Sequence, residues 1–146
     1  NLRNCAYFPE FEKEKIIYSE IVQGPQFYFD KNKYYPEATI FLITGESLKY
    51  LITLLNSKAV TFCFKTFYAG GGLGETGYRY KKVFLINLPI PKISLTAQKP
   101  FIKKVEKIIT QKAAGKDTTK LESDLDTMIY KLYDLSEAEI ALIENS

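Results

Sequence analysis

FYAGGGLGETGYRYKK, residues 67–82, holds five of the chain's eight glycines, and its reading decides the fold. Within it, Gly72-Leu73-Gly74-Glu75-Thr76-Gly77 has the G-x-G-x-x-G spacing of a dinucleotide-binding turn. That turn works only between a strand and a helix whose N-terminal N–H groups meet a pyrophosphate, with an acidic residue about twenty positions further on for the ribose. Here Gly77 is followed by Tyr78-Arg79-Tyr80-Lys81-Lys82-Val83-Phe84-Leu85, a β-rich run that stops at Pro89, and the ribose position falls in an acid-free stretch, PIPKISLTAQ at 89–98. A doubly wound nucleotide-binding fold is therefore set aside. No Gly-Lys-Ser/Thr follows the glycines, so a P-loop is excluded as well. What is left is a glycine loop beside Arg79, Lys81 and Lys82. Glycine lets backbone N–H groups approach a partner closely, Arg forks onto guanine, and Lys neutralises phosphate.

Upstream of the loop, KIIYSEIV (15–22) and FYFD (27–30) are β-branched and aromatic, punctuated by Gly24-Pro25, and read as two strand runs joined by a turn. Asp30-Lys31-Asn32-Lys33 is a polar loop, and ATIFLI (38–43) reads as a buried strand. Leu48, Leu51, Ile52 and Leu55 have helical spacing, ended by Asn56-Ser57. VTFCFKTFY (60–68) fits strand or helix equally. Downstream, KVFLINL (82–88) reads as a strand stopped by Pro89-Ile90-Pro91.

From Thr96 the pattern turns helical. Pro100 suits a first turn, Phe101, Ile102, Val105, Ile108 and Ile109 form an apolar stripe, and Gly115 closes the helix. Thr119-Lys120-Leu121-Glu122 opens a second stripe through Leu121, Leu125, Met128, Ile129 and Leu132, and Ser136-Glu137-Ala138-Glu139 opens a third, short helix. The expected fold is α/β in the α+β sense: a body with a mixed β-sheet over 1–95, then a helical hairpin with a small terminal helix over 96–146.

Composition removes several chemistries. The 146 residues contain no histidine, so Ser–His and Cys–His catalysis are impossible within the chain. Cys5 and Cys63 form no C-x-x-C pair, so neither structural zinc nor a disulfide framework is expected, and a reducing cytoplasm fits better. Cys63 reads as a buried thiol. No apolar run reaches membrane-spanning length. The chain starts at Asn1 rather than at a methionine, and a fragment of a larger protein is expected. Glu122, Asp124 and Asp126 project in different directions from a helix and read as a solvated face, as do Glu10, Glu12 and Glu14.

The net charge of +3 is unevenly spread. Residues 97–146 hold eight lysines against nine acids, whereas positions 58–82 hold Lys58, Lys65, Arg79, Lys81 and Lys82 against Glu75 alone. A basic segment rich in Gly and Tyr is compatible with a polyanion partner. Tyr78 and Tyr80 suit either sugar contacts or the core.

The order of segments resembles the TaqI-like C-terminal specificity domain of N6-adenine DNA methyltransferases and type IIG restriction–modification enzymes. The matching features are Lys15-Ile16-Ile17 leading to Gly24-Pro25-Gln26-Phe27, then Leu54-Leu55-Asn56-Ser57-Lys58 and the glycine loop. Arg79-Tyr80-Lys81-Lys82, Leu88-Pro89-Ile90-Pro91 and Tyr133-Asp134-Leu135-Ser136 complete them. Type I specificity subunits share a similar body. The resemblance implies a domain that reads double-stranded DNA while a separate methyltransferase domain, in the same chain or a partner subunit, binds S-adenosylmethionine and flips an adenine. It implies that this piece alone is not an enzyme and needs no cofactor or metal. The parent would be a site-specific adenine methyltransferase, alone or fused to an endonuclease. The candidate DNA contacts are Lys15, at a matching family position, with Lys33, Lys58 and Lys65. The loop adds Gly70, Gly71, Gly72 and Gly74, followed by Tyr78, Arg79, Lys81 and Lys82. The helical stripes would pack on the methyltransferase or a partner. The competing reading is a protein-interaction module that docks through those helices.

Overall fold

The computed structural model describes residues 8–36, 39–68 and 77–146. After a helical turn, α1 (Phe8–Phe11), the run at 15–22 forms two strands, β1 (Lys15–Ser19) and β2 (Ile21–Val22). β1 is the centre of a three-stranded sheet, flanked by β3 (Phe27–Asp30) and β4 (Ile40–Ile43) in the order β3-β1-β4. Both ladders are antiparallel. The register pairs Ile16 with Phe29 and Ile43, and Tyr18 with Phe27 and Phe41. Because side chains alternate with period two, these residues share one face. Tyr18 lies 5.3 Å from Phe27 and 5.6 Å from Phe41, ring centre to ring centre. α2 (Leu48–Leu55) covers this face with Leu48, Ile52, Leu54 and Leu55.

The junction at 56–58 is tight. The Asn56 side chain accepts from the Phe27 N–H (3.1 Å) and donates to its C=O (2.9 Å), so it pairs with the edge of β3 as a neighbouring strand would. Ser57 then accepts from the Val60 N–H at 3.2 Å and caps α3 (Lys58–Phe67). The ambiguous run at 60–68 is thus helix: the cap and the burial of Val60 and Phe64 one turn apart outweigh its β-branched content. The expected strand at 82–88 is also not formed. β5 (Tyr78–Arg79) pairs with β2, and α4 (Lys82–Leu85) follows at once. The turn lets Phe84 stack on Tyr68 at 6.1 Å and lets the Asn87 side chain donate to the Val83 carbonyl at 2.8 Å. Local bonds replace a ladder partner.

Leu88-Pro89-Ile90-Pro91 leaves the body pinned by two tyrosines: Tyr50 donates to the Pro91 carbonyl and Tyr133 to that of Pro89, both at 2.9 Å. α5 (Leu95–Ala113) is capped by Ser94, so Pro100 sits past the first turn, inside the helix. It closes at Gly115 (φ 67), with the Lys116 N–H on the Gln111 carbonyl and the Gly115 N–H on that of Lys112, a Schellman pair. α6 (Thr119–Leu132) starts one residue earlier than the capping-box reading places it: Thr118 is the cap and donates its hydroxyl to Glu122. α7 (Glu137–Glu144) has the full capping box of Ser136 and Glu139.

The apolar stripes of α5 and α6 are used inside the chain. Phe101, Val105, Ile108, Leu125 and Ile129 belong to one hydrophobic cluster that runs from Ile16 to Ile143, with α5 on α2 and α6 on α5 and α3. The expectation that these stripes await a partner is corrected accordingly. A helical segment joined to a small sheet completes the sheet's core, because the body alone has too little apolar surface to enclose itself.

Candidate nucleic-acid interface

Two positions of the Tyr78-Arg79-Tyr80 triplet build the site and one displays it. Tyr78 and Tyr80 are 3 % and 2 % exposed, so both are core and neither is free to pack on a sugar. Their rings meet at 5.2 Å, their hydroxyls lie 3.3 Å apart, and both pack on the fully buried Phe64, at 5.9 and 4.5 Å. Burial raises both phenols above their ordinary pKa, so they stay neutral. Alternation along the strand then turns Arg79 outward to solvent. The register places Arg79 opposite Ile21, and the Tyr80 N–H donates to the Glu20 carbonyl at 2.8 Å.

Lys65, in the last turn of α3, brings its ammonium 5.4 Å from the centre of the Tyr78 ring, a cation–π contact beside Arg79. Lys81 and Lys82 follow, both exposed. Among the described residues, none of Lys65, Arg79, Lys81 and Lys82 has a carboxylate partner. This edge therefore carries positive charge without a paired carboxylate among the described residues. Gly70, Gly71, Gly72 and Gly74 lie outside the described residues.

The other candidates are placed elsewhere and are already paired. Lys15 is fully buried, with its ammonium 2.6 Å from Asp30 and 2.8 Å from the Phe11 carbonyl, which it donates to; no phosphate reaches it. Lys33 is exposed but lies 3.0 Å from Glu12. Lys58 is ion-paired with Glu144, which also accepts from the Tyr130 hydroxyl at 2.7 Å. Asp126 is no part of a solvated face. It is 8 % exposed and accepts the Lys58 backbone N–H at 3.0 Å, capping α3 from α6. Burial raises its carboxyl pKa against the pull of that N–H. Asp124 does face solvent and meets Lys104 at 3.0 Å.

A cavity of about 620 Å³ lies between β3, α2, α5 and α6, lined by Phe27, Ile52, Val105, Leu125 and Ile129. Its charged groups are already engaged, Asp126 as above and Lys112 with Glu122 at 2.6 Å. Cys63 is half-buried, and burial raises its thiol pKa. Among the described residues, no three His, Cys, Asp or Glu side chains are grouped to hold a metal, and no helix is long and apolar enough to cross a membrane.

Fold and edge together define a small α+β binding domain in which two buried tyrosines and a helix hold a cationic strand edge open to solvent. The chain belongs to the TaqI-like C-terminal specificity domain family, whose model matches residues 2–90. These are target-recognition domains of restriction–modification enzymes, and the family is non-catalytic. Residues 91–146, with the helical hairpin, lie outside the match. No curated protein matches the chain.

Proposed function

We propose that this chain is the DNA-reading domain of a site-specific N6-adenine methyltransferase of the restriction–modification type, and that it performs no chemistry itself. The methyltransferase domain, in the same chain or a partner subunit, binds S-adenosylmethionine and flips the adenine, while this domain holds the duplex and discriminates its sequence. The observation that carries the reading is that Lys65, Arg79, Lys81 and Lys82 have no carboxylate partner among the described residues, whereas the other candidate lysines, Lys15, Lys33 and Lys58, are neutralised internally. Lys65, Lys81 and Lys82 would neutralise phosphates, and Arg79 would fork onto a guanine edge in the major groove. The docking alternative loses support because Phe101, Val105, Ile108, Leu125 and Ile129 of the α5 and α6 stripes are buried within the chain.

Fluorescence anisotropy with duplex DNA tests this. At about 50 mM salt the isolated chain is expected to bind non-specific duplex, weakening to a Kd of about 10⁻⁴ to 10⁻⁶ M at physiological salt. The three phosphate-neutralising lysines contribute about −2.7 to the log–log salt slope, and the Arg79→Ala/Lys81→Ala/Lys82→Ala variant, which keeps Lys65 alone among them, should make the slope shallower by about 2. Binding that is absent at low salt, or a slope the triple variant leaves untouched, defeats the proposal.

A further inference from the structure

A second exposed element is held in place more firmly than an ordinary surface loop. Asp30 ends β3, and its carboxylate accepts the backbone N–H groups of Asn32 (2.9 Å) and Tyr34 (2.8 Å) while it pairs with Lys15 (2.6 Å). Burial works to raise the Asp30 carboxyl pKa, but the Lys15 ammonium and the two N–H groups outweigh it and hold the carboxyl below its ordinary range. Lys33 adopts the left-handed region, φ 58, which a residue with a side chain rarely enters unless its surroundings impose it. Lys33 and Tyr35 turn back onto Glu12, and the Tyr35 ring stacks on Phe11 at 5.3 Å. Lys33 and Tyr35 are tied to Glu12 at the surface, whereas Lys31, Asn32 and Tyr34, exposed as well, have no side-chain polar partner among the described residues.

Removing Lys15 and Asp30 from water is costly, and a well-packed apolar pair serves overall stability as well or better; what a buried pair can add is one conformation chosen over others. Here the conformation chosen is that of the loop. The pairing of Lys15 with Asp30 puts the loop at one end of β1, and the pairing of Ile21 with Arg79 puts the cationic edge six residues away along the chain. An extended chain covers at most about 20 Å in that distance, which is about six base pairs of a duplex.

We infer that the loop at 31–35 is a second DNA-reading element, with Asn32 contacting a base edge, Lys31 a phosphate, and the buried Lys15–Asp30 pair acting as its positioning device. The inference rests on the target-recognition reading above. Asn is suited to the role because its amide both donates and accepts, matching adenine N7 and N6 in the major groove. Lys31 is free to neutralise a phosphate beside it. Lys15 and Asp30 touch no DNA; they act through the loop backbone.

The test selects duplexes from a randomised pool with the 146-residue chain and counts base preference at each position. Asn32→Ala should lower preference at one position about tenfold and leave the thermal midpoint unchanged, since the Asn32 side chain makes no hydrogen bond among the described residues. Lys31→Ala should keep the preference and reduce the salt slope by about one. Lys15→Met/Asp30→Leu replaces the buried pair with apolar groups, keeps the fold and releases the loop. Trypsin should then cut after Lys31 and Lys33, and the preference lost with Asn32→Ala should be lost again, while affinity for the whole pool stays within about threefold. If the double variant does not fold, Asn32→Ala decides alone. An Asn32→Ala chain with every preference intact overturns this inference and leaves the target-recognition reading standing, as does a trypsin-sensitive double variant that still selects the same site. A wild-type chain that binds no duplex defeats both.

Discussion

Lys15→Met should cost about 3–5 kcal/mol of folding stability in denaturant unfolding, because it leaves a buried carboxylate without its counter-charge. Lys15 is wholly enclosed and Asp30 nearly so, and the ammonium is 2.6 Å from the carboxylate. The loss should be strongly non-additive: Asp30→Leu on top of Lys15→Met is expected to restore most of it, since no charge is then buried and water can serve the exposed loop N–H groups. A double variant as unstable as the sum of the single ones would show that the two side chains act separately. The pH dependence has a definite sign. The folded-state pKa of Asp30 is depressed, so its contribution is present above the unfolded value of about 3.9 and is lost as pH falls through the lower folded value. The stability gap between wild type and Asp30→Asn should therefore be widest near neutrality and narrow below about pH 4. A gap that stays constant down to that acidity would mean that Asp30 is not held ionised by Lys15.

Phe64→Ala should lose about 3–5 kcal/mol, the range for removing a large aromatic side chain from a closed core. Phe64 has no exposed surface and its ring meets those of Tyr68, Tyr78 and Tyr80 at 6.1, 5.9 and 4.5 Å. The effect reaches the interface. β5 is only two residues long, and both neighbours of Arg79 pack on Phe64. A cavity there loosens the strand that displays Arg79, so DNA affinity should fall in conditions where the variant is still folded. Phe64→Leu fills most of the space and is expected to recover the larger part of both losses. Full DNA affinity in a folded Phe64→Ala chain would show that Arg79 is positioned without the aromatic cluster.

How far each element could be read from the chain follows how local its cause is. The terminal helix is set by Ser136 and Glu139, three residues apart, and the end of α5 by Gly115 and the carbonyls just before it. The strand at 27–30 and the helix at 48–55 follow from their own apolar periodicity. Arg79, Lys81 and Lys82 stand exposed, as their charge leads one to expect. The failures share a different cause. The run at 82–88 has strand-like composition, but its bonds go to nearby groups rather than to another strand. Lys58 looks like a free cation until Glu144, 86 residues on, comes beside it, and Asp126 looks solvated until it meets the Lys58 N–H, 68 residues back. Asp30 precedes a polar loop, a pattern that hints at its bonds to the loop backbone, but nothing near it announces Lys15.

By itself, the amino-acid sequence determined that this is an α+β chain without histidine, that its glycine run is not followed by the acidic ribose position of a nucleotide turn, and that its positive charge gathers at 58–82. Those properties depend on composition and on neighbours within a turn or two. Only the tertiary structure decided which cations are free and which are spent. A charge faces solvent or is neutralised according to what the fold brings within about 4 Å of it, and for Lys15, Lys33 and Lys58 the neutralising group comes from another segment of the chain.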